Sequence, residues 1–163
     1  MIPDPATVLR FLPLPTDQVR AYQSGAPDAY GLTPERVISD GTGVPCRHCL
    51  CDVPRGQEML ILAHRPFAAL HAYAETGPIF LCATQCGAYV GRGAPLPDIL
   101  TTSPDYLLKG YGPDERIVYG TGRITPSEDI AQTATAILAR ADVAFVDIRS
   151  ARNNCFQLRV VAA

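Results

Sequence analysis

The chain has no tryptophan and a single lysine, Lys109, among its 163 residues. Its 14 basic side chains against 16 acidic ones leave a formal net charge of −2. No basic run occurs, so nucleic acid is not expected as a partner. No stretch approaches the ~18 uninterrupted apolar residues of a membrane span. The N-terminus, Met1-Ile2-Pro3-Asp4-Pro5, lacks the basic and apolar regions of a signal peptide. The expectation is therefore no membrane association and a cytoplasmic location, where thiols stay reduced. Also missing are a nucleophile-elbow serine, a His-Glu-x-x-His helix and a glycine-rich phosphate loop. Gly91-Arg92-Gly93 is too short for the last of these, and Gly120-Thr121-Gly122 reads as a bulge in a hairpin. No repeat, coiled coil or linker divides the chain, which is read as one domain over 1–163.

What is present in quantity is proline (15), glycine (13) and cysteine (6). The prolines and glycines are spread out, as turns between short elements would place them. Strands are expected over Val8 to Leu14, Glu35 to Ser39, Glu58 to His64, Ile79 to Ala83, Tyr106 to Tyr111, Arg116 to Ile124, Val143 to Ile148 and Cys155 to Val161. Thr16 is read as the cap of a brief N-terminal helix that Gly25 ends. Thr125-Pro126-Ser127-Glu128 has the form of a capping box and predicts one long C-terminal helix over about 126–140, with Ile130, Ala134, Ile137, Leu138 and Ala141 on one face. The class expected is α+β, with a mostly antiparallel or mixed sheet.

The dense chemistry lies in Cys46-Arg47-His48-Cys49-Leu50-Cys51 and in a second thiol pair, Cys82 and Cys86. Cys46-x-x-Cys49 has the spacing of a zinc knuckle, whose tight turn lets two thiolates face one ion. Cys82 and Cys86 would complete a four-sulfur Zn²⁺ site, although their x₃ spacing departs from the usual x₂. Two other readings stand beside it. The cysteines are inert core thiols with no metal, in a module that binds a small molecule or protein. Or Cys46 and Cys49 form a redox pair, for which the expected strand-to-helix context is absent. Cys51 lies outside the chelating gap.

Weaker candidates for ligand or anion contacts are His48, His71, Glu75, Arg149 and Arg152. His71 and Glu75, with His64, place bases and a carboxylate near one another before Gly77-Pro78. Arg149 and Arg152 flank Asn153-Asn154, which reads first as a hairpin turn and second as an anion site. No catalytic residue and no substrate follows from these patterns, and self-association is left open.

Several blocks carry a resemblance: Pro45-Cys46-Arg47-His48-Cys49-Leu50, Gly56-x-Glu58 running into Met59-Leu60-Ile61-Leu62, Tyr73 to Phe80, and Arg149 to Phe156. Together they resemble a bacterial family of unknown function, the one numbered 1203. The resemblance implies a single bacterial α+β domain and brings no activity with it.

Overall fold

The apolar runs become strands, and the strands divide between two sheets. A computed structural model describes residues 8–91 and 95–163. The readings of the first five residues and of Gly91-Arg92-Gly93 fall wholly or partly outside them. In chain order the elements are β1 (Leu9–Leu12), α1 (Thr16–Gln23), β2 (Glu35–Ile38), β3 (Glu58–His64), β4 (Gly77–Cys82), β5 (Asp105–Tyr111), β6 (Arg123–Pro126), α2 (Ile130–Leu138), β7 (Phe145–Ser150) and β8 (Phe156–Ala162). Short 3₁₀ turns occupy Asp98–Leu100 and Ser127–Asp129. Five strands form one sheet in the order β1-β8-β7-β5-β6, and three form another in the order β2-β3-β4. Every strand pair within the sheets is antiparallel.

The expected α+β class with a long C-terminal helix is overturned. The protein is mostly sheet with two short helices. Residues 125 and 126 still belong to β6, where Thr125 pairs with Tyr106 and Pro126 with Asp105. β6 is an edge strand, so a proline there costs no ladder bond. The helical stretch begins only at Ser127, whose hydroxyl is spent on the Leu100 carbonyl rather than on a cap. α2 itself covers Ile130–Leu138. Ile130, Ala134 and Ile137 face the five-stranded sheet, joining Leu108, Ile148, Leu158 and Val160 in its core. Gly110 on β5 permits this approach: a Cβ there would lie 2.8 Å from Ile137 Cγ2.

The strand expected over Arg116 to Ile124 is also broken up: only Arg123–Pro126 forms a ladder along β5, and Ile117 joins Tyr111 by an isolated bridge. Thr121 interrupts it. Its buried hydroxyl accepts from Gly110 N (2.9 Å) and donates to the Val118 carbonyl (2.6 Å), which satisfies groups that a ladder would otherwise pair.

α1 packs on the three-stranded sheet through Val19 and Tyr22, in a core with Met59, Leu60, Leu62, Ile79 and Leu81. Its start has no side-chain cap, and Thr16 is its first residue rather than its cap. Its end is a Schellman turn: Ala26 N donates to Ala21 O, Gly25 N donates to Tyr22 O, and Gly25 has φ 94°. Phe156 of β8 belongs to this same core, so the two sheets meet there. A third cluster, Phe67, Tyr111 and Phe145, closes the far side, with the Tyr111 and Phe145 rings stacked at 5.2 Å.

Candidate metal centre

Residues 44–53 form a small hairpin with the cysteine cluster at its tip. Val53 N donates to Val44 O, Cys46 N to Cys51 O and Leu50 N to Cys46 O. The turn closes through Leu50 at φ 57°, a left-handed conformation that a β-carbon disfavours. Leu50 nevertheless occupies it with its side chain fully buried in the core of the five-stranded sheet. Cys46, four residues earlier, is buried in the core of the three-stranded sheet. The knuckle therefore spans the seam between the sheets. It is fastened to β4 by a Cys46–Phe80 bridge with Arg47 N donating to Phe80 O, and to the segment after β1 by Leu14 N donating to Arg47 O.

Cys82 ends β4, and Cys86 follows after a bend that brings it back beside the knuckle. The four sulfurs of Cys46, Cys49, Cys82 and Cys86 all lie within 4.8 Å of one another. The Cys46 and Cys86 sulfurs are 3.9 Å apart. A tetrahedral ZnS₄ centre with bonds of ~2.3 Å has edges of about 3.8 Å. Closing on an ion draws the widest pair in by about 1 Å, which the fit requires of side chains rather than of strands. Cys46 and Cys82 are buried, and Cys49 and Cys86 are half-buried. The donor set is compatible with a metal ion.

The surroundings favour negative charge on two of these sulfurs, those of Cys46 and Cys86. Cys82 N donates to Cys46 Sγ at 3.3 Å, and His48 Nδ1 is 3.1 Å from Cys86 Sγ. Hydrogen bonds from the Cys49, Cys82 and Cys86 thiols hold the Cys46 thiol well below its ordinary range. The same sharing with Cys46 pushes Cys49 and Cys82 up. Arg47 is buried beside them, with Nε donating to Phe156 O (2.8 Å) and its guanidinium over the Phe80 ring. Burial pulls its pKa down to about 10, so it is charged at neutral pH.

α1 brackets the cluster from the other side. Thr16 Oγ1 lies 2.9 Å from His48 Nε2, Arg20 Nη2 donates to Cys86 O (2.8 Å), and Gln23 Nε2 donates to Cys82 O (2.9 Å). Positions 16, 20 and 23 share one helix face. Sequence reasoning missed this role, although the polar i, i+4, i+7 stripe was there to be read. Cys51 stands apart: it is exposed and contacts Asp98 at 3.5 Å. Partial desolvation and the Asp98 carboxylate raise its pKa to about 11.

The remaining candidates disperse. His48 joins the thiol cluster. Glu75 and Arg149 meet at 3.5 Å, and Glu75 also takes Lys109 at 2.5 Å and the Tyr111 hydroxyl at 2.8 Å. His71 turns inward on Phe67 and Tyr73, with its Nδ1 accepting from Tyr73 N. Arg152 is exposed and pairs with Asp105 at 3.0 Å, away from Glu75 and Arg149. His64 is the last residue of β3, where the expected strand put it, and is buried.

The fold and the cluster thus define a mostly antiparallel β protein with four convergent thiols at the seam of two sheets. The model of the family described as "Protein of unknown function (DUF1203)" matches residues 43–161, and the chain belongs to that family. The matched span contains all four cysteines and leaves β1, α1 and β2 outside. No curated protein and no solved structure matches. No helix among the described residues is long and apolar enough to cross a membrane.

Proposed function

We propose that the protein is a non-enzymatic cytoplasmic domain whose Cys46, Cys49, Cys82 and Cys86 hold one structural Zn²⁺. The observation that carries this reading is the convergence of four sulfurs, drawn from a hairpin tip and a strand end, within 4.8 Å. Four protein ligands leave no open coordination position, which is the arrangement of a structural rather than a catalytic zinc. Amide and imidazole groups directed at the sulfurs stabilise thiolate, the form that binds metal. A reducing compartment keeps such thiols available. The ion ties the knuckle to the end of β4, and through Leu50 and α1 it ties one sheet to the other.

The redox alternative fares worse on this geometry. An attacking thiolate needs access and a helix N-terminus or cationic neighbour beside it. Arg47 supplies a cationic neighbour, but Cys46 is fully buried in a hairpin, with neither access nor a helix N-terminus.

The test is metal analysis of protein purified without chelator, with thiol titration alongside. One zinc per chain, released in step with modification of four thiols, supports the reading. Well-folded protein with substoichiometric zinc, or with iron in its place, overturns it.

A further inference from the structure

On the far side of Phe156 from the thiols lies a second cluster that the zinc reading does not use. His64 ends β3, Glu75 precedes β4, and Arg149 sits in β7. All three line a cavity of ≈190 Å³, with Pro66, Pro78 and Phe156 among its apolar walls. That is smaller than the ~300–1,000 Å³ of sites that enclose drug-sized ligands, so its natural occupant is small.

Two of its walls carry unspent hydrogen-bonding groups. His64 is 3% exposed and Arg149 4% exposed. Among the described residues, neither His64 ring nitrogen and not Arg149 Nε has a hydrogen-bond partner. Buried polar groups are nearly always paired, and those left over call for an occupant. The rest of Arg149 is fixed: Nη1 donates to Asn154 O at 3.0 Å, and Nη2 faces Glu75 Oε2 at 3.5 Å.

We propose that this cavity binds a small monocarboxylate, its oxygens on Arg149 Nε and the His64 ring and its alkyl end against Pro66, Pro78 and Phe156. Charge selects the anion. Burial first, and then the charges of Arg47, Arg159, Arg149 and Arg65, push the His64 pKa down to about 4. The ring therefore meets the ligand neutral, with one N–H to donate. Arg159 is already matched by Asp147, at 2.7 Å. Glu75 is held by Lys109, Tyr111 and Arg149, and its fixed negative charge at the wall disfavours a dianion such as phosphate.

The experiment follows the histidine ring resonances of the metal-loaded full chain by NMR during titration with sodium propionate at constant ionic strength. The sequence has three histidines, so His48 and His71 serve as internal controls. The expected result is a saturable shift at His64 alone. Arg149→Gln weakens binding by roughly ten- to a hundred-fold, the usual loss for a hydrogen bond to a charged group. Should that variant fail to fold, His64→Leu replaces it, with the Arg149 Nε resonance as readout and a comparable loss expected. No saturable shift at His64, equal shifts at all three rings, or saturation by inorganic phosphate as tight as by propionate each overturns the proposal.

Discussion

The imidazole of His48 bridges two elements that are 70 residues apart: Nδ1 lies 3.1 Å from Cys86 Sγ while Nε2 lies 2.9 Å from Thr16 Oγ1. With Nδ1–H donating to the sulfur, Nε2 is left to accept from the Thr16 hydroxyl. The helix thereby fixes the ring that faces a thiol of the proposed metal site. Groups of this kind typically contribute about 10–100-fold to metal affinity. Thr16→Val, which keeps the shape and removes the hydroxyl, is expected to weaken zinc affinity by about ten-fold. Competition with a chromophoric chelator measures it, and an unchanged affinity would show that the ring needs no support from α1.

Leu50 sets backbone strain against burial. Its φ of 57° favours glycine, by roughly 1–2 kcal/mol over a residue with a β-carbon. Its side chain is fully buried, and truncating such a leucine costs about 2–5 kcal/mol. Burial wins, so Leu50→Gly is expected to lower unfolding free energy in denaturant titration despite relieving the turn. A stabilised variant would mean that the side chain does not anchor the knuckle to the five-stranded sheet.

Metal removal is expected to act locally first. The core of the five-stranded sheet is built by Leu108, Ile148, Leu158, Val160 and α2, in a cluster separate from the one that holds Cys46 and Cys82. Chelation should expose the amides of Leu50, Cys82 and α1 to hydrogen exchange while those of β5, β7 and β8 stay protected. Uniform loss of protection would instead make the ion a condition for the whole fold.

Acidification isolates His64. Its folded pKa, about 4, lies below its ordinary 6.5. Between these values the unfolded chain binds a proton that the native state refuses, so native stability is complete above pH 6.5 and falls as pH drops towards 4. The full loss is roughly 3 kcal/mol. The groups facing the ring are Arg47 from the knuckle, Arg65 after β3, Arg149 on β7, Arg159 on β8 and the Glu75 carboxylate. His64→Leu removes this titration, and it also removes two unpaired buried nitrogens, so the variant is expected to be no less stable at neutral pH. The difference between variant and wild-type stability should grow as pH falls through that window. A flat difference curve would contradict the burial of an unpartnered neutral ring. Glu75, whose burial penalty is outweighed by Lys109, Tyr111 and Arg149, has a lowered pKa and adds a separate loss below its ordinary 4.5.

The strands and the two thiol pairs were legible because they depend on local pattern. The run Glu58 to His64 is apolar enough to be buried on both faces, and it becomes the central strand of its sheet. The helix over 126–140 was over-read because Thr-Pro-Ser-Glu suits a capping box, yet the same Thr125 and Pro126 suit the end of an edge strand. Pairing with β5, a tertiary fact, decides between them. Spacing identified Cys46 with Cys49 and Cys82 with Cys86, but nothing local fixes whether a strand end returns to a hairpin tip. His71, Glu75, Arg149 and Arg152 show the same limit. Sequence proximity grouped His71 with Glu75 and Arg149 with Arg152, whereas the fold pairs Glu75 with Arg149 across 74 residues and leaves His71 and Arg152 elsewhere. His64 was visible as a histidine closing an apolar strand, a position where burial is the default.

The convergence of four sulfurs on one ion is tested most directly by X-ray absorption at the zinc edge of the one-to-one complex. The account predicts a first shell of four sulfurs at ~2.3 Å, becoming three sulfurs and one lighter ligand in Cys82→Ser and staying unchanged in Cys51→Ser. A wild-type shell containing nitrogen or oxygen, or a Cys82→Ser spectrum identical to wild type, would contradict it.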